Sequence, residues 1–517
     1  MSARVGRGWR TWGVVGLLCA VAVSSAAAAD VLDGLDEWIE AERERWAIPG
    51  LAVAIVHGEE LVHARGYGRT RLVEGRDVDA DTQFGVASLS KAMTATALAL
   101  LVDEGRLDWD DPVIEHLPEF RLSDERVTPL VTVRDLLSHR VGVGRLTGNR
   151  LTFMPDRSRA EVIRHLRHHE FERPFRAGYV YSNLMYTVAG ELVEQISGEP
   201  WERFVVSRLF APLGMTRSTP AIAALDANAV YPHQEIDGEL VEIARRDWTY
   251  AAPAAAVNTT MHDLVRWMRF NLGEPGVLDG ERLVSESAMQ ALHRPSSLSG
   301  YDADARVINA YGLGWGLGRY RGYRVLSHGG ATDGINTQLW LLPELDLGIV
   351  VSANRFTQLR EPLLRHVVDR YTGHDAEPWS EREYERFTAQ RAQARAAREA
   401  VHRARESDAP MRHAPDAYAG HYHDPLYDTA EVFETGDGLA IRFWDDDSQV
   451  LALEHWHHDT FRGHWRNPAQ REKFVWFAMG EDGQPEALYV RFTLRPEVLE
   501  EGIYPADYTR KVRFVRD

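Results

Sequence analysis

The stretch SLSKAMTATALALL, from Ser88 to Leu101, determines how the rest of the chain is interpreted. Its apolar residues, among them Ala95 and Leu98, predict a buried helix that begins near Ser88. Residues three positions apart share one face of a helix, so the Ser88 hydroxyl and the Lys91 amine can meet. The helix N-terminus adds unpaired N–H groups and partial positive charge, which favour an ionising serine. Alone, a Ser-x-x-Lys pattern often arises by chance, and Ser88 can also act as a simple helix cap.

A second candidate element is Tyr181-Ser182-Asn183. A phenol normally titrates near about pH 10, so a tyrosine base needs a neighbouring ammonium group that favours its phenolate. Lys91 can supply that charge, and Asn183 can bond to Lys91 or to a substrate carbonyl. By itself, the segment is also typical of a buried tyrosine followed by a turn asparagine.

The third element, His328-Gly329-Gly330, follows a strand-like run from Arg324 to Ser327. Glycines allow a substrate backbone to lie against a strand edge. The next N–H group, that of Ala331, can pair with the N–H of Ser88 to form an oxyanion hole. Alone, a His-Gly-Gly sequence is more often a loop.

Together, in this order and spacing, the three elements resemble the serine beta-lactamase and penicillin-binding-protein superfamily. The second and third motifs are most similar to those of the class C beta-lactamase and DD-peptidase branch. The resemblance extends over about residues 35–368 and includes the further stretches Val133-Arg134-Asp135-Leu136-Leu137-Ser138-His139, Ser197-Gly198, Pro212-Leu213-Gly214-Met215, Asp263-Leu264 and Asn354. The last hundred residues, with Tyr418-Ala419-Gly420-His421-Tyr422 and His455-Trp456, resemble the small barrel-like domain DUF3471 that often accompanies these hydrolases.

The resemblance implies an acyl-enzyme mechanism without a cofactor or a metal. Ser88 attacks a carbonyl after giving its proton to the Tyr181–Lys91 pair. The N–H groups of Ser88 and Ala331 hold the oxyanion, and water activated by the same pair releases the acyl group. The residues expected to bind and position the substrate are Asn183, His328, Gly329 and Gly330.

Three positions depart from the family pattern. Val141-Gly142 stands where Ser-Gly is usual, Phe175-Arg176 where Pro-Gly is usual, and Ala255-Ala256 where Gly-Gly is common. None involves the nucleophile, the lysine or the tyrosine. We therefore expect the departures to affect the choice of substrate rather than the chemistry.

The candidate substrates are small molecules or short peptides: D-amino-acid peptides, beta-lactams and carboxylic esters. His328 in place of lysine resembles some DD-peptidases and D-aminopeptidases, so we expect a peptidase-like activity first and an esterase second. A wall-associated or penicillin-binding module that has lost turnover is the alternative from another class. No Gly-x-Ser-x-Gly elbow surrounds Ser88, which excludes the usual α/β-hydrolase arrangement.

Bulk properties restrict the partners. The 517 residues exceed one core, so two or three domains are expected. The formal net charge of -18 argues against a nucleic-acid partner, because neutralising phosphates requires a basic face. The sequence leaves the oligomeric state open.

The first 29 residues are typical of an export signal. Arg4, Arg7 and Arg10 precede an apolar run, and Ala27-Ala28-Ala29 suits signal peptidase. Outside this segment no run reaches the roughly 18 apolar residues that span a bilayer. The only cysteine, Cys19, lies inside the signal, so the mature protein is expected to use no thiol chemistry. We expect a soluble periplasmic or secreted protein without a stable membrane anchor after cleavage.

The order of the predicted elements indicates an α+β fold. A strand at Leu51 to Val56 and later strand-like runs at 324–327, 337–342 and 347–352 flank a helical region, which fits one sheet closed by distant segments and a helical lobe. The charged, alanine-rich segment after Glu377 suits a solvated linker helix. The predicted units are a signal peptide at 1–29, a catalytic domain at 30–376, a charged helical linker at 377–412 and a small all-β domain at 413–517.

Two further patterns are assigned no function. The histidines of the C-terminal region lie in alternating strand-like sequence without the spacing of a known metal site; they are His421, His423, His455, His457 and His458. The glycines between Gly312 and Gly318 lack the dinucleotide-binding spacing, because Leu317 interrupts it. A strand near the cleft is expected there.

Overall fold

The computed structural model describes residues 31–144, 158–236, 238–302, 307–375, 377–466, 470, 472–493 and 509–517. The predicted export signal at 1–29 lies outside these residues. The helices are α1 Leu35–Arg45, α2 Ser90–Asp103, α3 Val113–His116, α4 Val133–Leu137, α5 Arg159–His165, α6 Asn183–Ser197, α7 Trp201–Val205, α8 Ala252–Ala255, α9 Met261–Asn271, α10 Glu286–His293, α11 Arg360–Tyr371, α12 Trp379–Arg403 and α13 Pro415–Tyr418.

The strands divide into a main sheet, a C-terminal barrel and three short pairs. They are β1 Gly50–His57, β2 Glu60–Gly68, β3 Phe84–Gly85, β4 His233–Ile236, β5 Glu239–Glu242, β6 Asn258–Thr259, β7 Val277–Leu278, β8 Glu281–Arg282, β9 Ser297–Asp302, β10 Val307–Tyr311, β11 Gly316–Tyr320, β12 Tyr323–Thr332, β13 Ile335–Leu342, β14 Leu347–Ala353, β15 Gly420–Asp424, β16 Asp428–Thr435, β17 Gly438–Phe443, β18 Val450–His457, β19 Thr460–Trp465, β20 Lys473–Met479, β21 Pro485–Thr493 and β22 Thr509–Arg516.

The main sheet has eight strands in the order β2-β1-β14-β13-β12-β11-β10-β9. Strand β1 pairs antiparallel with β14, where Leu51 lies opposite Ala353. Distant parts of the chain therefore close one sheet, and the predicted α+β fold is confirmed. Side chains alternate between the two faces. Leu339 and Leu341 join the core on the side of α2, whereas Trp340 and Leu342 join a second core against α1 and α11.

The helical lobe is built around α2, which is buried on all sides. Its sequence is rich in alanine and leucine rather than amphipathic, as expected for a helix enclosed by protein. Helix α6 crosses the short helix α8 closely, because a Cβ at Gly190 would lie 2.0 Å from Cγ of Pro253. This contact fixes α8 beside the N-terminal half of α2, where the polar residues of the first motif are placed.

The C-terminal region forms a closed eight-stranded barrel from β15 to β22. The first and last strands pair through Tyr422 and Arg516. Gly436 and Asp437 make the turn between β16 and β17, and Asp482-Gly483 makes the turn between β20 and β21, as their sequence predicts. The interior is filled by aromatic and aliphatic side chains. The predicted small all-β domain is confirmed.

Helix α12 connects these two regions and is only partly solvated. In its first half, Ser380 accepts a hydrogen bond of 2.9 Å from the Trp46 indole, and Phe387 is buried against the main body. Beyond Arg391 most of its side chains are exposed. The segment that follows packs on the barrel, where Arg405 donates to the carbonyl of Trp456 at 3.0 Å. The boundaries proposed for this linker remain predictions.

Candidate active site

Ser88 lies in a tight turn, Ala87–Leu89, that leads directly into α2. Ala87 has a φ of 46°, which is unusual for a residue with a side chain and is a form of strain often found at functional sites. Strand β12 passes against this turn: a Cβ at Gly330 would lie 2.0 Å from the Val86 carbonyl oxygen and 3.0 Å from the Ser88 nitrogen. Only glycine at 330 allows the strand to approach the serine so closely.

Three side chains from separate elements meet at the Ser88 hydroxyl. Lys91, one turn into the helix, places its Nζ 3.0 Å from Ser88 Oγ. Tyr181, just before α6, donates from its hydroxyl to Ser88 Oγ at 2.8 Å. Lys91 also donates to Asn183 Oδ1 at 2.7 Å. The ammonium group lies 4.8 Å from the centroid of the Tyr181 ring. The structure thus brings together the serine, lysine, tyrosine and asparagine of the first two motifs.

The lysine is held by a residue that the sequence did not indicate. Its Nζ donates a third hydrogen bond, of 2.9 Å, to the carbonyl of Ala254 in α8. One helical turn further along α2, Thr94 donates to the carbonyl of Pro253 at 2.7 Å. Since Lys91 is completely buried, the oxygens of Ser88, Asn183 and Ala254 replace the water that would otherwise solvate its charge. Nothing in the local sequence of α8 marks its carbonyl groups as partners of a lysine.

His328 forms the opposite wall of the site and is uncharged near neutral pH. Burial, together with the nearby Lys91 ammonium, lowers its pKa to about 3. Its Nε2 lies 2.8 Å from the hydroxyl of Tyr311, and its Nδ1 lies 2.7 Å from the carbonyl of Gly329. Tyr311, on β10, is a second residue that sequence reasoning missed. Both ring nitrogens are therefore engaged within the protein, and the wall that the imidazole forms carries no charge.

The third motif lies within a strand rather than in a loop. The ladder between β11 and β12 ends at Gly316 and Ser327, while the ladder between β12 and β13 continues to Thr332. A side chain at Gly329 would clash with Gln338, because its Cβ would lie 2.5 Å from the amide oxygen. The proposed oxyanion role of Ala331 stays a prediction, although this residue lies on the same stretch of strand beside Ser88.

A cleft of about 1470 Å³ runs past these groups. Predicted site residues that line it are Ser88, Tyr181, Asn183, His328, Gly329, Gly330 and Ala331. Lys91 lies beneath its floor. Its far end is more polar and more basic and is lined by residues of α11 and α12, among them Arg365, Trp379, Arg382 and Arg386. The expected strand near the cleft is β11, whose Gly316 and Gly318 form part of the lining.

None of the departures from the family pattern lines this cleft, and Ala255 and Ala256 line a second, smaller pocket. Arg176 adopts a φ of 59° and donates to the buried carboxylate of Asp135 at 2.6 Å. Val141, in place of the usual serine, is buried, whereas Gly142 is the usual glycine: its φ is 91°, and a Cβ there would lie 2.3 Å from the carbonyl oxygen of Arg173. Ala255 lies in the short helix whose carbonyls hold the lysine. The replacements therefore alter the surroundings of the motif residues and leave the motif contacts in place.

Within the described ranges no three His, Cys, Asp or Glu side chains converge as metal ligands would. None of the helices in that part of the chain is long and apolar enough to cross a membrane.

The chain matches two protein-family models. The model described as Beta-lactamase matches residues 35–374, and that described as a domain of unknown function, DUF3471, matches residues 404–502. Among curated relatives, the chain is 28% identical over 443 residues to "Unguisins hydrolase ungD'" of Aspergillus campestris, covering 80% of this chain and 78% of the relative. It is also 28% identical to "Unguisins hydrolase ungD" of Aspergillus violaceofuscus, of which 59% is covered.

Solved structures share the fold at low sequence identity. The octameric penicillin-binding protein homologue from Pyrococcus abyssi superposes with a TM-score of 0.61 at 18% identity, over 94% of this chain and 100% of that one. SurE superposes with a TM-score of 0.57 at 20% identity, over 89% of this chain and 97% of that one, and with a TM-score of 0.52 in its structure with D-Leu. Because the first family model spans well over half of the sequence, the chain belongs to the Beta-lactamase family, as a serine hydrolase that carries a C-terminal DUF3471 domain.

Proposed function

We propose that this chain is an exported serine hydrolase that cleaves short peptides containing D-amino acids through an acyl-enzyme. The observation that carries the proposal is the convergence of Tyr181 Oη and Lys91 Nζ at 2.8 and 3.0 Å from Ser88 Oγ. Both distances are within the reach of a general base. A buried ammonium beside a phenol stabilises the phenolate, which is the form that accepts the serine proton.

The reaction proceeds in two balanced steps. The Ser88 oxygen forms a bond to the substrate carbonyl carbon while its proton passes to the Tyr181–Lys91 pair. The N–H groups of Ser88 and Ala331 donate hydrogen bonds to the developing oxyanion, the C–N bond breaks, and the pair returns the proton to the leaving amine. Water then gives a proton to the same pair, attacks the ester carbonyl and releases the acid, which restores the serine hydroxyl.

Three features favour a peptide over a smaller substrate. The cleft of about 1470 Å³ exceeds the roughly 300–1,000 Å³ typical of small-molecule pockets. The glycines of the third motif leave the strand β12 accessible to an extended backbone beside Ser88. A structure with the same fold is described as SurE with D-Leu, and a relative is named as a hydrolase of unguisins.

Carboxylic esters are the second candidate substrate, and beta-lactams are the third. All three substrates present a carbonyl to the same nucleophile, so the site chemistry does not separate them. A binding module without turnover would keep the fold but would form no acyl-enzyme, or would form one that does not hydrolyse. These alternatives differ in what is released from the enzyme and how quickly.

The deciding experiment is a hydrolysis screen with the mature protein. D-aminoacyl amides, nitrocefin and short p-nitrophenyl esters are compared at equal concentration. A fluorescent penicillin reports acylation of Ser88, and a fluorophosphonate reports its phosphonylation. Ser88→Ala should abolish turnover and labelling at an unchanged melting temperature, since a hydroxyl in an open cleft contributes little to stability. Ser287→Ala, on the exposed surface of α10, is the control and should keep full activity. Retained hydrolysis in Ser88→Ala would reject the mechanism.

Export is proposed from the N-terminal sequence alone. Cleavage after Ala29 would leave Asp30 as the mature N-terminus. N-terminal sequencing of the extracytoplasmic protein tests this, and an intact Met1 in an active, cell-associated protein would contradict it.

A further inference from the structure

His139 occupies a backbone conformation that its residue type does not favour. It follows α4 with a φ of 59° and is completely buried. Glycine is the usual residue in a left-handed conformation after a helix, and a side chain there costs about 1–2 kcal/mol. The chain keeps a histidine at this position, so the imidazole must provide something that glycine would not.

The histidine accepts hydrogen bonds from the backbone on both sides of Tyr181. The N–H of Val180 donates to the carbonyl oxygen of His139 at 2.8 Å. The N–H of Ser182 donates to Nδ1 of the same residue at 3.1 Å. His139 thus accepts two hydrogen bonds from the segment 180–182 and fixes its backbone. The middle residue of that segment, Tyr181, reaches Ser88. Since Nδ1 accepts a hydrogen bond, the neutral ring carries its proton on Nε2.

The imidazole also lies between the second and third motifs. Its centroid is 4.4 Å from the Tyr181 ring, at an interplanar angle of 38°. On another side it lies 4.9 Å from the ring of Tyr311, whose hydroxyl is bonded to His328. One buried ring therefore contacts the tyrosine that reaches the nucleophile and the tyrosine that holds the substrate-side histidine.

The turn that carries His139 is itself braced. Asp135 is completely buried and caps α4 together with Thr132. Its carboxylate accepts a hydrogen bond of 2.7 Å from Arg140, the residue after His139, and one of 2.6 Å from Arg176. Neighbours on both sides along the chain therefore resist rotation of the histidine.

We propose that His139 is a positioning residue for Tyr181, which sets the tyrosine hydroxyl against Ser88 by accepting a hydrogen bond from the Ser182 N–H and by packing against the phenol ring. The inference rests on the proposed function, because it takes Tyr181 to be part of the base. Reacting groups displaced by about 1 Å can lose about 100-fold in rate. We expect a loss of that size without the imidazole.

The test compares three substitutions in the full mature chain. His139→Gly removes the Nδ1 acceptor and relieves the backbone strain. If the histidine served only to occupy the left-handed turn, this variant would be stable and active. His139→Asn tolerates the left-handed conformation and can offer its amide oxygen to Ser182. His139→Met fills the space without an equivalent acceptor, and it replaces the glycine variant in the comparison if that variant does not fold. His458→Gly, at a φ of 47° in the barrel, is the matched control.

Single-turnover acylation by the fluorescent penicillin and steady-state hydrolysis are the readouts. His139→Gly should slow acylation about 100-fold with KM changed less than threefold, and His139→Asn should recover at least tenfold of the loss. His458→Gly should match the parent protein. Acylation within twofold of the parent in a folded His139→Gly or His139→Met variant would overturn the inference, and so would failure of the asparagine variant to exceed them. If Tyr181→Phe also left acylation unchanged, the proposed function would have failed instead.

Discussion

The catalytic region and the barrel each bury a charged side chain, and the two are treated differently. Lys91 donates three hydrogen bonds to uncharged oxygens, one of which is the Ser88 hydroxyl. In the barrel, Asp459 accepts from the Tyr418 hydroxyl at 2.6 Å and lies 3.2 Å from the guanidinium of Arg412. An opposite charge satisfies the barrel carboxylate, whereas the lysine is directed at a nucleophile. In the proposed mechanism the first charge serves reactivity, whereas the second contributes to the stability of the barrel.

The largest effect is expected from removing the base. Lys91→Ala and Tyr181→Phe should each slow acylation roughly 100- to 10,000-fold, because a positioned general base contributes that much. The losses should not add in free energy, since residues that act as a unit fail together. Single-turnover acylation of both variants and the double variant measures the coupling. Additive losses would mean that the two side chains act independently, and the shared base would have to be abandoned.

His328 provides a test of stability in the same region. Its pKa of about 3 in the folded protein lies below the ordinary 6.5, so only the unfolded chain takes up its proton between these values. The contribution of His328 to the free energy of unfolding is therefore fully present above pH 6.5 and is lost as the pH is lowered towards 3. Between pH 7 and pH 4.5 the loss is about 3 kcal/mol.

Calorimetry at the two pH values measures this loss. His328→Gln should lose about 3 kcal/mol less than the parent protein on acidification. His464→Gln, on the exposed surface of the barrel, is the matched control and should behave as the parent does. Equal acid sensitivity in the parent and His328→Gln would show that the imidazole does not carry the effect.

The barrel charge should affect stability alone. Asp459→Ala leaves the Tyr418 hydroxyl without its acceptor and Arg412 without its partner, which should lower the barrel's unfolding free energy by about 2 kcal/mol. Acylation at Ser88 should stay within twofold of the parent. Asp437→Ala, in an exposed turn, is the control, and calorimetry with acylation kinetics gives both readouts. A tenfold slower acylation in Asp459→Ala would show that the barrel affects the active site, and the separation of reactivity from stability between the two regions would be wrong.

Elements whose pattern is local could be predicted from the sequence. The buried strand expected at Leu51 to Val56 is β1, and the turn residues Gly436 and Asp482 lie in hairpins of the barrel. The closure of one sheet by distant segments followed from strands at both ends of a helical region. In each case a short run of residues specifies its own conformation, and burial of one or both faces stabilises it.

Contacts made across the fold could not be predicted in the same way. The Ala254 carbonyl and the Tyr311 hydroxyl come from segments without a motif, and they are placed by the packing of α8 and β10. His139 lies in a stretch that resembles the family, but its hydrogen bonds with the residues on both sides of Tyr181 depend on a left-handed turn. The His-Gly-Gly segment is strand because β13 pairs with it to Thr332. Sequence spacing carries no information about such partners.

The smallest expected effect concerns the helix that joins the two regions. Trypsin can cut α12 at several arginines, but proteolysis requires local opening, and opening is costly where side chains are buried. Ser380 and Phe387 anchor the first half of the helix on the main body, and Arg391 pairs with Glu235 there. The second half makes few such contacts. We therefore expect the first cuts between Arg395 and Arg405 rather than uniformly over the charged segment at 377–412.

Mass spectrometry of a limited digest locates the cuts and decides the matter. A catalytic fragment that ends between Arg395 and Arg405 and still reacts with the fluorophosphonate would show that Ser88 and its partners do not need the barrel. Phe387→Ala should extend cleavage into the first half of α12, because the buried ring no longer holds it. Val401→Ala, an exposed residue in the second half, is the control and should leave the pattern unchanged. Early cutting at Arg382 in the parent protein would mean that the first half opens as readily as the second, and the anchoring contacts of Ser380 and Phe387 would not set the boundary between the regions.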